Sequence, residues 1–138
     1  MDDVAEGGCL CGAIRYAVRG KPRYTLMCHC DSCRRAAGSP VVAWASFPLE
    51  RFTIVRGEPK TFRSSPPATR TFCASCGTTL TASRVERPDS VGITICSLDH
   101  PELLPPDHHS FMIDKVSWMR VNDDLPAYHR YPGAPDDA

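Results

Sequence analysis

Long apolar runs are missing from this sequence. No stretch approaches the roughly 18 consecutive apolar residues that a membrane-spanning helix needs, which excludes a helical membrane protein. A basic segment leading into an apolar one is missing at the start, where Met1-Asp2-Asp3-Val4-Ala5-Glu6 is acidic. The expectation is a cytoplasmic chain with no secretory leader. Net charge is absent as well: sixteen Lys and Arg cancel sixteen Asp and Glu over 138 residues. That removes the simplest case for nucleic-acid or anionic-membrane binding, and the dispersed cations form no arginine–aromatic surface motif. Neither an internal repeat nor a linker divides the chain, and its length suits one domain over residues 1–138, since two halves would sit near the lower limit for an unassisted core.

The chain has 42% hydrophobic residues, enough for a packed core, and thirteen prolines with nine glycines. That many breakers argue against long helices and for short strands joined by turns, so the fold class is mainly β. Ile14, Tyr16 and Val18 alternate with Arg15, Ala17 and Arg19 as a half-buried strand. Tyr24 to Met27, Val41 to Phe47, Arg51 to Val55 and Thr61 to Arg63 read as further strands, the last three implying a meander. Arg34-Arg35-Ala36-Ala37 before Gly38 predicts a turn or two of helix with Gly38 as its stop. Val91-Gly-Ile-Thr-Ile-Cys96 reads as a buried strand. The tail from Asn122 reads as a loop anchored by Leu125, Tyr128 and Tyr131, fraying from Pro132 to Ala138.

Eight cysteines carry the chemistry: Cys9, Cys11, Cys28, Cys30, Cys33, Cys73, Cys76 and Cys96. In a secreted chain they would suggest four disulfides. In a cytoplasmic one, thiols stay reduced and clustered cysteines point to metal. Cys9-Leu-Cys11, Cys28-His-Cys30-Asp-Ser-Cys33 and Cys73-Ala-Ser-Cys76 have the spacing of chelating turns, because thiolates about 2.3 Å from a tetrahedral zinc stand roughly 3.8 Å apart. Seven clustered thiols do not make two complete four-thiolate sites. The economical partition joins Cys9, Cys11, Cys73 and Cys76 in a closed structural zinc site. Cys28, Cys30 and Cys33 are left as three ligands with an open fourth position, as expected of a catalytic zinc. The alternative is a triplet closed by His29, His108, His109 or Cys96. Cys96 itself reads as core, free cysteine being among the most buried residue types.

Gly8-Cys9-Leu-Cys11-Gly12, Cys28-His-Cys30-Asp-Ser-Cys33-Arg34 and Phe72-Cys73-Ala-Ser-Cys76-Gly77, followed by His109, Trp118 and Pro126, resemble the glutathione-dependent formaldehyde-activating enzyme family, also called the GFA or CENP-V-type domain. The match runs from about position 5 to about 130. The resemblance implies a β-tent of small antiparallel sheets stabilised by zinc, with at most one or two short helical turns. It implies two zinc ions per chain, in the same four-plus-three partition. It also implies a carbon–sulfur lyase that reversibly combines a thiol such as glutathione with an aldehyde such as formaldehyde, giving S-hydroxymethylglutathione or a related adduct.

That chemistry suits the donor set. A three-thiolate zinc carries a formal charge of −1; it is a weak activator of water and a good acceptor of a fourth sulfur, which it holds deprotonated. Up to position 85, twelve Lys and Arg face six Asp and Glu, a balance of +6; from Glu86 on, four face ten, a balance of −6. The positive part holds the seven clustered cysteines and can offset their thiolates. Arg34 and Arg35, next to Cys33, are candidates for substrate carboxylates, with ordinary surface cations as the alternative. His109, or else His108, is a candidate proton donor to the developing alkoxide. Trp44 and Trp118 read as core. Competing functions are a zinc-stabilised binding module without chemistry and a thiol redox enzyme using Cys96 or a triplet cysteine. A homodimer is the assembly considered.

Overall fold

The computed structural model describes residues 3–135. Ten strands and one helix follow in chain order: β1 Val4–Gly8, β2 Arg15–Arg19, β3 Tyr24–Cys28, α1 Asp31–Ala37, β4 Val42–Pro48, β5 Phe52–Arg56, β6 Lys60–Ser65, β7 Ala68–Phe72, β8 Thr79–Arg84, β9 Ser90–Thr94 and β10 His109–Ser110. They form a three-stranded sheet in the order β1-β2-β5 and a seven-stranded sheet in the order β10-β3-β4-β9-β8-β7-β6. Among the described residues these strands pair antiparallel, except for the short parallel pairing between β10 and β3. The mainly β expectation holds, with α1 and a few 3-10 turns as the helical content. The chain is not a meander through β4, β5 and β6. The 3-10 turn Leu49–Arg51 after Pro48 carries it from the large sheet to the small one, where β5 pairs with β2, and β6 returns to the far edge of the large sheet beside β7.

Side chains of a strand alternate between faces, and residues opposed across an antiparallel ladder share one. The alternation in β2 therefore puts Tyr16 and Val18, each 1% exposed, into a core between the sheets with Ala45, Phe47, Leu80, Val91 and Ile93. The opposite face of the large sheet has its own smaller cluster of Cys28, Cys33, Val42 and Trp44, with Leu26, Ala82 and Phe111 packed against it. Gly92 lies in the same row as Ala82, where a Cβ would meet the Trp44 ring at an ordinary contact distance of 3.5 Å.

Helix α1 is short for a reason. Cys30 caps its start by accepting from the Cys33 N–H, and Gly38, in the left-handed region at φ 61°, ends it. Two residues depart from their sequence reading. Strand β9 stops at Thr94, and the chain turns through a 3-10 turn over Ile95–Ser97 that leaves Cys96 exposed rather than buried. The Ser97 hydroxyl donates to the Thr94 carbonyl at 2.8 Å, a local bond that competes with strand continuation. Trp118 lies in a loop and is 72% exposed, so it is not core, whereas Trp44 is. The tail is irregular as expected, but Ala134 is buried and bonded to the Tyr131 carbonyl, so fraying does not begin at Pro132. Positions 136–138 lie outside the described residues.

Candidate functional site

Two turns, one from each sheet, meet at the first cysteine cluster. Cys9 and Cys11 sit between β1 and β2, and Cys73 and Cys76 between β7 and β8. The second turn closes by a Gly77 N–H bond to the Cys73 carbonyl, with Gly77 at φ 82° where a side chain would be strained. The four Sγ atoms lie within 4.8 Å of one another, with 3.6 Å from Cys9 to Cys11 and 3.8 Å from Cys11 to Cys73. These separations fit a tetrahedral thiolate set, for which roughly 3.8 Å is required. Neutral donors point at the sulfurs: the Ile14 N–H at 3.2 Å from Cys9 and the Cys76 N–H at 3.4 Å from Cys73. Thr78 joins the two turns, its Oγ1 accepting from the Leu10 N–H at 3.0 Å and standing 3.3 Å from Cys76 Sγ. Hydrogen bonds from Thr78 lower the Cys76 thiol to about 5, whereas Cys11 beside the Cys9 sulfur is raised to about 11. The four sulfurs therefore divide their protons unevenly until a cation lets all of them ionise.

Cys28, Cys30 and Cys33 form the second cluster, at the end of β3, the cap of α1 and its first turn. Their three Sγ atoms also lie within 4.8 Å of one another. Hydrogen bonds from Cys28 and Cys30 push the Cys33 thiol well down, and bonds to Cys30 and Cys33 push Cys28 up. Three packed thiols share protons until a cation lets all of them ionise, which suits a metal. Among the described residues no His, Cys, Asp or Glu adds a fourth ligand atom to this set. None of His29, His108, His109 and Cys96 closes the triplet here.

His29 is instead the buried end of a hydrogen-bonded chain. It is wholly buried, and its Nε2 stands 2.9 Å from His109 Nδ1. His109, 1% exposed, places its Nε2 2.8 Å from Asp123 Oδ2. With both imidazoles neutral, the Asp123 carboxylate requires a proton on His109 Nε2. His109 Nδ1 then accepts from His29 Nε2–H, and His29 Nδ1 is left a bare acceptor. That Nδ1 is buried without a partner, as is the Ser110 hydroxyl. Burial lowers the His29 pKa to about 4, and the bond from His109 lowers that of Asp123.

Backbone pairing sets this chain. β10 aligns His109 with Met27 and Ser110 with Cys28, and His109 exchanges backbone bonds with Pro126 and Tyr128. Phe111 and Asp124, the non-glycine residues with positive φ, lie beside His109 and Asp123. Three bonds from 111–113 to the carbonyls of Arg130, Tyr128 and His129 hold Phe111 in that conformation, and such outliers gather at functional sites.

The remaining candidates fall as follows. Arg34 and Arg35 both bond Asp31 Oδ1, at 2.8 Å and 3.2 Å, as pairs along α1. His108 is set against Tyr128 edge to face, 5.7 Å between ring centres. The residue that sequence reasoning missed is Arg70 on β7, whose Nη2 stands 3.7 Å from Cys33 Sγ. Its only sequence sign is an arginine three residues before Cys73. Asp123 was missed too, being one acid of an Asn-Asp-Asp loop.

Comparison with known proteins identifies the family. The sequence profile of the glutathione-dependent formaldehyde-activating enzyme family matches residues 4–114. An uncharacterized lyase of Schizosaccharomyces pombe is 38% identical over 76 residues, 54% of each chain, so the match spans about half of that relative. A Halomonas elongata protein provisionally named a glutathione-dependent formaldehyde-activating enzyme is 26% identical over 84% of this chain and 80% of its own. A Rhodobacter sphaeroides protein of known crystal structure superposes with a TM-score of 0.58 at 26% identity, over 68% of this chain and 87% of that one.

Proposed function

The chain belongs to the glutathione-dependent formaldehyde-activating enzyme family, and from that premise we propose that it is a zinc-dependent carbon–sulfur lyase of the cytoplasm. It joins glutathione, or a related thiol, to formaldehyde and reverses the step. The observation that carries this reading is the three-sulfur set to which no described residue adds a fourth ligand, beside a buried His–His pair that ends on the exposed Asp123. Cys9, Cys11, Cys73 and Cys76 would hold one zinc structurally, and Cys28, Cys30 and Cys33 the other. What zinc would supply at the triplet is a fourth position with affinity for sulfur, where an incoming thiol is acidified.

In the bond-forming direction the thiol loses its proton, sulfur attacks the aldehyde carbon, and the carbonyl π pair moves to oxygen. The alkoxide then takes a proton. One C–S bond forms, and nothing is oxidised or reduced. His109 is the residue assigned to that proton transfer. His29 Nδ1, the bare acceptor, would take the thiol proton while His29 Nε2–H passes its own across the 2.9 Å bond to His109 Nδ1. Asp123 holds the other His109 proton on Nε2, and the relay runs back to protonate the alkoxide. Arg34 and Arg35 are engaged by Asp31 and would have to exchange that partner for a substrate carboxylate.

The test is exchange spectroscopy on ¹³C-formaldehyde with glutathione. The wild-type protein should accelerate exchange between free aldehyde and S-hydroxymethylglutathione, and Cys30→Ser should not. Equal exchange in the two would leave a zinc-stabilised binding module.

A further inference from the structure

Arg70 has an unusual environment for a cation. Its guanidinium lies 6.0 Å from the centre of the Trp44 ring, and its Nε and Nη1 are buried with no hydrogen-bond partner. Only Nη2 has a partner, the Cys33 sulfur at 3.7 Å. The backbone forces this placement. Arg70 opposes Ala82 across β7 and β8, and Ala82 opposes Gly92 across β8 and β9. That row of small residues runs beside Trp44, over which the Arg70 guanidinium is set. The C-terminal end of α1 is tied to the same hairpin by Thr79 Oγ1, which donates to the Ala36 carbonyl at 3.1 Å. A buried cation is strongly destabilising unless an anion faces it. The group facing Arg70 is the Cys33 sulfur, an anion when the triplet is ionised. A substrate carboxylate does not reach Nε or Nη1, since both are shielded from solvent.

The two clusters differ on this point. Backbone amides and a threonine hydroxyl, all neutral, meet the sulfurs of the four-cysteine set. A full positive charge meets the triplet. We propose that Arg70 is the positioning and charge-balancing residue of the triplet: it fixes Cys33 and cancels the formal −1 of three thiolates around a divalent ion, so that the site keeps affinity for a fourth, anionic sulfur. A second thiolate charge would otherwise add to a negative site. Removing Arg70 should weaken both metal retention and thiol entry while leaving the four-cysteine site intact. The inference rests on the triplet being a metal site.

The experiment is titration of the metal-free full chain with cobalt(II), followed by its thiolate-to-metal absorption, for wild type, Arg70→Met, Arg70→Lys and Cys30→Ser. Cys30→Ser isolates the four-cysteine signal, which also serves as the folding control. In Arg70→Met the triplet should bind cobalt roughly 10- to 100-fold more weakly, the scale typical of outer residues that support metal ligands. Its charge-transfer band should move to longer wavelength, because a sulfur that loses a donor gives up electrons more easily. Glutathione should perturb that band only at higher concentration than in wild type. Should Arg70→Met fail to fold, Arg70→Lys decides: a shifted triplet band with an unchanged four-cysteine band supports the proposal. Unchanged triplet affinity and band in the folded variant overturn it. A wild-type triplet that takes no cobalt overturns the metal reading itself, and the role of Arg70 with it.

Discussion

The two cysteine clusters use the same ligand atom and differ in how far apart along the chain their members lie. Cys11 and Cys73, 62 residues apart, meet where the β1–β2 and β7–β8 turns converge, so a metal there cross-links two sheets. Cys28, Cys30 and Cys33 all lie between the end of β3 and the first turn of α1, and a metal there closes only short loops. Closing long loops restricts the unfolded chain, whereas closing short ones restricts it little. The first cluster is therefore placed to stabilise the fold. The second gains little for folding and can leave a position open. The cores divide the same way: Cys9 and Cys73 pack between the sheets, and Cys28 and Cys33 pack on the outer face of the large sheet beside Trp44.

The largest effect that could break this comparison is expected from Cys73→Ser. A structural zinc contributes on the order of 10 kcal/mol to folding, comparable to the whole stability of a domain. The variant should be unfolded or aggregated by circular dichroism. Cys30→Ser should keep the wild-type spectrum and melt close to wild type, while losing one metal and all lyase activity. If the two variants unfold alike, the division of roles fails.

His109→Ala should show an intermediate effect. It leaves His29 Nε2 buried without a partner, which destabilises by about 1–3 kcal/mol, and it should lower the exchange rate roughly 100-fold or more with both metals retained. A variant that keeps its full rate would remove His109 from the reaction. The smallest effect belongs to Tyr16→Phe, on the inter-sheet side. Its hydroxyl meets Ser97 Oγ at 2.6 Å, and losing that bond should lower stability by about 1 kcal/mol without changing either metal. Burial raises the Tyr16 pKa from 10.0 to about 12. The unfolded chain therefore ionises first, and wild-type stability should fall as pH rises through that window. Denaturant titrations across it should show a flatter pH dependence for Tyr16→Phe.

Much of this was legible in the sequence, for physical reasons that can be named. The period-2 pattern of Ile14 to Val18 gives β2, and Gly38 gives the end of α1. The spacing of seven cysteines gives both clusters, because a chelating turn must be local. What was not legible depends on contacts between distant segments. Cys96 continues an apolar run, yet the Ser97 hydroxyl bends the chain there. Trp118 reads as core from its isolated place in a strand-like pattern, yet it lies exposed in a loop. His29, read as an alternative ligand, turns Nε2 toward His109 because a two-residue parallel pairing brings β10 beside β3. No periodicity announces a pairing that short. Arg70 reaches Cys33, 37 residues earlier in the chain, through the strand order of the large sheet, which local pattern does not encode.

The central claim is that one cluster is closed and structural while the other is a second, open metal site. Zinc per chain tests it most directly, by elemental analysis against quantitative amino-acid analysis on protein purified without tags or chelators. The account predicts two zinc ions per chain. A value near one would contradict it, leaving the triplet without its metal and the lyase reading without its site.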